Sequence, residues 1–322
     1  MPKISVIIPV YGVEKYIERC ARSLFEQTID DIEYLFIDDC TPDKSVEILK
    51  HVLEEYPQRK DQVVIHRMEQ NSGQAKVREW GMRNATGEYV IHCDSDDWVD
   101  VRMYEEMYNR AKIEQADVVV CDYVLHNGVT EQERVQGSGK VNCMEFLLRV
   151  FLQKDSWALW NKLFSRKIYD FDKVVYPKGN MGEDMCITLQ MLSRCRKISY
   201  IPKAFYKYFV NSESITRKLS KESCLNNYSQ LKGNADIIFN LFDNVNAPDV
   251  INEGLLYLKC HVNNMLIPLV GNKYYYYEWR RLYSGLWKKL MFSKHIDFMF
   301  KLRILLTLCR LLPRKKFRIS VM

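Results

Sequence analysis

The first hundred residues alternate between apolar runs with strand character and stretches with helical spacing. The apolar runs are residues 3–10, 32–37, 62–67 and 89–93, and helix-like stretches at 14–27, 46–56 and 75–84 separate them. Helices placed between consecutive strands are typical of parallel strands joined by right-handed crossovers. The alternation predicts an α/β fold with a doubly wound, mostly parallel sheet flanked by helices.

The rest of the chain continues this pattern and then changes. Residues 116–124 form another apolar run, which predicts a further strand. Residues 126–140 are polar and contain glycine, so we expect a mobile surface loop there. After about residue 220 the spacing is helical without a recognisable motif, which predicts a helical C-terminal region.

Acidic residues directly follow two of the predicted strands. Asp38 and Asp39 end the second apolar run, and Asp94, Asp96 and Asp97 follow the fourth. Parallel strands end at one edge of a sheet, where ligands of α/β proteins bind. The alternative is that each cluster caps a helix, Asp97 in particular, since carboxylates bind the free amides of a helix start. Two acidic clusters at one edge favour a site for a nucleotide and its metal.

The length and composition of the chain limit the classes of protein to which it can belong. The chain has 322 residues, enough for one large domain or two small ones. Its ten cysteines are scattered without a CxxC pair, which is typical of reduced thiols in a cytosol. No apolar run approaches the ~18 residues of a membrane-spanning helix, and the N-terminus starts directly with a strand, so neither a spanning helix nor a secretory signal is expected.

Basic residues are concentrated near the C-terminus. From Arg280 onward there are twelve Lys and Arg against one acid, Asp297, whereas the preceding part is net acidic. The basic segment lacks interleaved aromatic motifs, so we expect no binding of nucleic acid. Its sequence KLRILLTLCRLLPRKKFR places apolar side chains near one helical face: Leu302, Leu305, Leu306, Cys309 and Leu312.

An amphipathic basic tail of this kind predicts binding to an anionic membrane surface. The alternative is a helix packed on the preceding domain or on a partner chain. The first interpretation gives a cytoplasmic protein that is peripheral on the inner face of the cell membrane.

Three stretches of the sequence together resemble the family 2 glycosyltransferases, which have the Rossmann-like GT-A fold. They are SVIIPVYGVEKYIERCARSLFEQT, LFIDDCTPDKS and NSGQAKVREWGMRNATGEYVIHCDSDDW. The turn after the first strand, PVYGVEKY, lacks GxGxxG, which argues against a dehydrogenase. The resemblance implies a GT-A catalytic domain over 1–217, with a nucleotide-binding half (1–100) and an acceptor half (101–217). Residues 218–322 would then form the helical region with the basic tail.

The activity that the resemblance implies is an inverting sugar transfer in the synthesis of a bacterial cell-surface glycan. A hexosyl or N-acetylhexosaminyl group would pass from a nucleotide sugar, most often UDP-linked, to a glycan or lipid-linked acceptor. Asp94-Ser95-Asp96 resembles the DxD motif of the family. By that likeness Asp96 binds Mn²⁺ or Mg²⁺, and Asp94 contacts the ribose or the metal and its water shell. The ion stabilises the leaving diphosphate as a Lewis acid.

The same resemblance assigns residues to the nucleotide. Asp39 matches the position that hydrogen-bonds the uracil edge, Pro9 and Tyr11 flank the base, and Arg78 faces the nucleotide. A core position is the alternative for Tyr11. The sequence around Arg78 departs from the family pattern, in which smaller and amide residues are common.

On the acceptor side, WALWNKLFSRKIY and GNMGEDMCITLQML resemble family segments. Inverting transfer needs a carboxylate that takes the acceptor proton. We take Asp184 as the candidate for that role, and Glu183 would orient the acceptor or a neighbouring group that holds the base. The alternative is that both acids cap a helix. Trp160 would offer an apolar face to a sugar ring or, alternatively, belong to the core.

The segment YKYFVNSESITR resembles the family region that folds over the diphosphate. Phe209 stands where family members often have arginine, so the phosphate contacts are assigned to Ser214 and Arg217 instead. A second class of function is a catalytically silent nucleotide-sugar-binding or scaffold protein of the same fold. The acids Asp94, Asp96, Glu183 and Asp184 favour the enzyme, because binding alone does not need them all.

Overall fold

The computed structural model describes residues 1–136, 142–169, 173–210, 220–243 and 249–311. Within these ranges one sheet contains nine strands in the order β3-β2-β1-β4-β8-β6-β9-β5, with β7 paired to β6. The strands are β1 (Ile4–Val10), β2 (Ile32–Asp38), β3 (Val63–Arg67), β4 (Tyr89–His92), β5 (Trp98–Val99), β6 (Val118–His126), β7 (Glu131–Arg134), β8 (Lys162–Ser165) and β9 (Ile198–Phe209).

Helices flank the sheet and form most of the described C-terminal region. They are α1 (Ile17–Phe25), α2 (Ser45–Glu54), α3 (Gln74–Asn84), α4 (Met103–Glu114), α5 (Cys143–Phe151), α6 (Glu183–Ser193), α7 (Lys221–Asp243), α8 (Asp249–Asn264), α9 (Lys273–Phe292) and α10 (Phe298–Leu308). Short 3-10 helices occur at Pro57–Gln62, Arg166–Ile168 and Ile267–Leu269.

The sheet is parallel in its first half and mixed in its second. β1 pairs in parallel with both β2 and β4, and β2 pairs in parallel with β3, as the alternation of the sequence predicted. β8 lies antiparallel between β4 and β6, and β5 is antiparallel to β9, whereas β6 and β9 are parallel. The acceptor half therefore departs from the parallel pattern.

The loop predicted over 126–140 is partly wrong. Residues Glu131–Arg134 form β7, which pairs antiparallel with β6 after a turn in which the Asn127 side chain accepts hydrogen bonds from the amides of Val129 and Thr130. An exposed edge strand needs no apolar side chains, so its polar sequence gave no strand signal. Residues 137–140 lie outside the described ranges.

Two apolar clusters cover the opposite faces of the sheet. Side chains alternate across a strand, so Ile4, Val6 and Ile8 of β1 pack on the α1 and α2 side, while Ile7 packs on the α3 side. The second cluster continues through α5 and α6 into α7 and α8. A third cluster joins α8, α9 and α10. No helix within the described ranges has both the length and the apolar character needed to span a membrane.

Candidate active site

The loop after β4 carries the Asp94-Ser95-Asp96 sequence and is fixed by neighbouring elements. The Ser95 hydroxyl donates a hydrogen bond to the carbonyl of Pro9 at the end of β1, at 2.6 Å. Arg19 of α1 donates through Nη2 to the Asp96 carbonyl at 3.0 Å. These contacts hold the two carboxylates at the carboxyl edge of the parallel strands, where the sequence predicted a ligand site.

Asp97 is not a helix cap. It is buried, and its two oxygens accept hydrogen bonds from the Tyr206 hydroxyl at 2.6 Å and the Phe209 amide at 2.7 Å. α4 begins later, at Met103, with Arg102 in the cap position. Burial, reinforced by the neighbouring acids, raises the pKa of Asp97 well above its usual range. Through these two hydrogen bonds its carboxyl group ties β9 to the acidic loop.

Asp94 and Asp96 are the candidate metal ligands. Burial raises the pKa of Asp96 to about 6, and the charge of Asp94 acts in the same direction. The described residues contain no group of three His, Cys, Asp or Glu side chains arranged around one metal position. Mg²⁺ is commonly held by one or two carboxylates together with substrate phosphates and water, and this pair of hard oxygen donors fits that arrangement. A cation would also relieve the mutual repulsion of the two acids.

A buried arginine links the donor side to the acceptor side. Arg78 of α3 donates through Nη2 to Asp94 at 2.8 Å, and its Nε lies 3.8 Å from Oε1 of Glu183. Burial alone would lower the pKa of Arg78, but the charges of Asp94, Glu183 and Asp184 raise it overall. Nε and Nη1 have no hydrogen-bond partner among the described residues. Arg78 therefore faces carboxylates of both sides, and its contact with a nucleotide stays a prediction.

Glu183 and Asp184 are the first two residues of α6. Gly182 precedes them in the left-handed conformation, with φ 74° and no side chain to cap the helix. Asp184 accepts a hydrogen bond from the amide of Met185 at 2.7 Å, so the capping alternative describes part of its role. Glu183 is nevertheless buried beside Arg78, and Asp184 is half-buried next to it, which a simple surface cap does not require.

The surroundings affect the pKa values of Glu183 and Asp184 differently. Burial raises the pKa of Glu183 to about 8, helped by Asp184 and opposed by Arg78. Burial also raises the pKa of Asp184, but Arg78 and Lys162 oppose that shift. At neutral pH Glu183 is therefore protonated, whereas the nearby positive charges of Arg78 and Lys162 favour the ionised form of Asp184.

Asp39 is buried, and its carboxyl group binds two backbone amides. Its two oxygens accept hydrogen bonds from the amides of Ser72 and Gly73, at 2.7 and 2.8 Å, and so fix the loop that starts α3. Its contact with a uracil edge stays a prediction. Tyr11 follows β1 and is 47% exposed, which rules out the core alternative for that side chain.

Trp160 is buried and stacks on Tyr206, with ring centroids 4.2 Å apart, and it packs near Tyr208 at 5.7 Å. It belongs to the apolar cluster on the α1 side of the sheet, so the core alternative describes its position in this structure. A contact with an acceptor sugar stays a prediction. Ser214 and Arg217, predicted to bind the diphosphate, lie outside the described residues.

Sequence reasoning missed Lys162, the first residue of β8. Its ammonium group is buried and donates to the carbonyls of Ser156 and Ala158 and to the Asn161 side chain, each at 2.8 Å. Burial lowers the pKa of Lys162 to about 7, opposed by nearby acids that include Asp184. The signal in the sequence was a single lysine within the mostly apolar stretch WALWNKLF.

Comparison with known proteins matches this chain to one family of enzymes. The family model described as glycosyl transferase family 2 matches residues 5–172. The glycosyltransferase GlyA of Streptococcus pneumoniae is 31% identical over 229 residues, which are 67% of this chain and 32% of GlyA. This chain thus spans about a third of that relative's length.

Two solved structures share the fold. Residues 1–349 of S. aureus TarS, in complex with UDP-GlcNAc, superpose with a TM-score of 0.64 and 21% identity, over 82% of this chain and 72% of TarS. The mannosyltransferase PcManGT from Pyrobaculum calidifontis, in complex with GDP-Man and Mn²⁺, gives 0.58 and 14% identity, over 98% of this chain and 88% of PcManGT. Since the family model matches more than half of the chain, the chain belongs to glycosyl transferase family 2. The predicted family and its GT-A fold are confirmed.

Proposed function

We propose that this chain is an inverting, metal-dependent glycosyltransferase. It moves a hexosyl or N-acetylhexosaminyl group from a UDP-sugar to a glycan or lipid-linked acceptor. The observation that carries the proposal is Arg78, whose guanidinium joins Asp94 on the donor side to Glu183 on the acceptor side. The complexes of TarS with UDP-GlcNAc and of PcManGT with GDP-Man and Mn²⁺ support the type of donor and the metal.

The acidic pair divides the proton chemistry. Asp184, in its ionised form, accepts the proton of the acceptor hydroxyl as this hydroxyl attacks the sugar from the face opposite the leaving group. Glu183 is protonated at neutral pH and donates a hydrogen bond that orients the acceptor. Arg78 favours the ionised form of Asp184, because its positive charge opposes the rise that desolvation causes in the pKa of that carboxyl group.

The donor binds at the carboxyl edge of β1, β2 and β4. Asp96 and Asp94 hold Mn²⁺ or Mg²⁺, which when bound supplies positive charge to the leaving diphosphate. Asp39 selects the base, and Pro9 and Tyr11 flank it. Further contacts are proposed for a larger set: Asp94 with the ribose, Arg78 with the nucleotide, Ser214 and Arg217 with the diphosphate, and Trp160 with the acceptor.

The proposed organisation is a catalytic domain over 1–217 and a helical region over 218–322. We propose that this region holds the enzyme on the inner face of the cell membrane. α10 packs through Ile304 and Thr307 and exposes apolar side chains elsewhere: Phe298 is 72%, Met299 68% and Leu305 40% exposed. Lysines and arginines flank α10 in the sequence, so an anionic lipid surface fits this segment better than a neutral one.

A donor screen tests the function. Single nucleotide sugars are incubated with the protein and Mn²⁺, and released nucleotide diphosphate is measured with and without candidate glycan acceptors. We expect turnover with one or a few UDP-sugars. Binding of UDP-sugars without any release, including slow hydrolysis, would instead support the silent scaffold protein.

A further inference from the structure

The residues that lead into α6 are held by α7, the first helix of the C-terminal region. We call residues 179–182 the pre-α6 loop. Asn234 of α7 is buried, and its Nδ2 donates to the carbonyls of Gly179 at 2.8 Å and Met181 at 3.0 Å. Gln230, one turn earlier, accepts a hydrogen bond from the Met181 amide at 3.1 Å. Two amide side chains of α7 thus bind three backbone groups directly before the acidic pair.

The pre-α6 loop also fits α7 sterically, without room for larger side chains. A Cβ atom on Gly179 would lie 2.7 Å from the Cβ of Gln230, and one on Gly182 would lie 2.4 Å from Cδ1 of Leu231. Gly182 in addition has φ 74°, which favours glycine. The close approach and the hydrogen bonds together fix the pre-α6 loop in a single position against α7.

The opposite side of the pre-α6 loop contacts the donor half. The Asn180 side chain accepts a hydrogen bond from the Ala75 amide at 3.1 Å, at the start of α3. It also fills the space beside Gly73, where an added Cβ would come within 2.4 Å of it. Asp39 holds the amide of that same glycine at 2.8 Å. The loop is therefore fixed between α7 and the donor site.

We propose that Asn234 and Gln230 are positioning residues for the transfer reaction. By fixing the pre-α6 loop they set where the carboxylate of Asp184 stands relative to the donor sugar. This inference rests on the proposed role of Asp184 as the base. Misplacing a reacting group by ~1 Å can lower a rate ~100-fold, so small shifts of this loop matter. The helical C-terminal region is then part of the catalytic unit.

Two isosteric substitutions test the hydrogen bonds one by one. Asn234→Asp replaces the donating amide by a carboxylate, which cannot donate to the two carbonyls. Gln230→Glu keeps an oxygen that accepts from the Met181 amide, whereas Gln230→Ala removes it. We expect Asn234→Asp to lower kcat ~10- to 100-fold. The UDP affinity and the donor KM should stay at wild-type values. Gln230→Ala should be slower than wild type, and Gln230→Glu close to it.

A matched control lies on the solvent side of the same helix. Lys232 pairs with Asp236 at 2.7 Å, and both side chains are about half exposed. Lys232→Ala should leave kcat unchanged. Rates are expressed per UDP-binding site counted by calorimetry, so that unfolded protein does not enter kcat.

Wild-type kcat per site in Asn234→Asp would overturn the inference. If Asn234→Asp binds no UDP, the rates of the two Gln230 variants test the inference instead. Wild-type rates in both Gln230→Ala and Gln230→Glu would overturn it. A slow Gln230→Ala together with a normal Gln230→Glu would support it. Failure of the proposed function is a different result, because there Asp184→Asn itself would transfer sugar at the wild-type rate.

Discussion

The donor half and the acceptor half of this protein reach their functional residues by different routes. In the donor half, Asp38 is the last residue of a strand that pairs in parallel, and Asp39 and Asp94 follow such strands. In the acceptor half, Glu183 and Asp184 follow a glycine-containing loop and not a strand. Donor chemistry is thus placed by the regular fold, while acceptor chemistry depends on contacts between segments that are distant in sequence.

The largest expected effect comes from removing the acceptor-side base while leaving the donor half intact. Asp184→Asn keeps the size of the side chain and an oxygen for the Met185 amide, so the helix start should persist. Loss of a general base typically lowers the rate ~10²- to 10⁴-fold, and we expect at least ~100-fold. Initial rates with the true acceptor, or of donor hydrolysis, measure this, and UDP titration should match wild type.

The companion variant is Glu183→Gln, which keeps a hydrogen-bond donor. A wild-type rate in Asp184→Asn together with an inactive Glu183→Gln would show that the base is Glu183.

A substitution in the donor half should impair metal-dependent binding of the nucleotide. Asp96→Ala should remove the gain in UDP affinity that Mn²⁺ provides, because a charged ligand is lost. Changing even a residue that supports a metal ligand weakens binding ~10- to 100-fold, so we expect at least ~10-fold. Calorimetric titration of UDP with and without Mn²⁺ measures the effect. A normal response to Mn²⁺ in this variant would remove Asp96 from the metal site.

The acidic pair should make the transfer rate depend on pH, and this dependence arises in the acceptor half. Burial raises the pKa of Glu183 to about 8, so the proton that donates to the acceptor is present below pH 8 and lost above it. We expect kcat to fall as pH rises through that value. Glu183→Gln keeps a donating amide at every pH, so its profile should lack the fall. An unchanged alkaline decline in Glu183→Gln would assign the titration to another group.

The smallest expected effect on catalysis concerns α10. Replacing Phe298, Met299 and Leu305 together by serine should reduce flotation with anionic vesicles at low salt, while turnover of a soluble acceptor stays normal. The matched control replaces exposed apolar residues far from the tail, Ile113 and Val129, which are 81% and 90% exposed. Equal flotation of the α10 variant and wild type would favour the alternative, a face that packs on a partner chain.

The sequence predicted the donor half well because its signals are local. Each predicted strand and helix of the first hundred residues is present, with boundaries shifted by a few residues; α1, for example, begins at Ile17 instead of Glu14. Period-two and helical patterns depend on neighbours along the chain, so they are readable without the fold. The acids at the strand ends were predicted for the same reason.

The acceptor half could not be predicted to the same depth. β8 carries the buried Lys162, whose charge is accommodated only because three oxygens from the preceding residues surround it. The link from Arg78 to both acidic groups joins residues from α3, the β4 loop and α6, and no spacing in the sequence reveals it. Likewise, helical periodicity identified α7 as a helix but not its hold on the pre-α6 loop.

The contact between Asp97 and β9 has a consequence for how the protein is made. Asp97 is a buried acid whose partners, the Tyr206 hydroxyl and the Phe209 amide, follow it by 109 and 112 positions. At a synthesis rate of ~5–20 residues per second, the ribosome needs roughly 5–20 s to supply them after Asp97 has emerged. Until then the strands of the donor half can pair, but Asp97 lacks its partners in β9. On the ribosome, the nucleotide-binding half is thus the first part to be translated, but it is completed only after β9 of the acceptor half has been made.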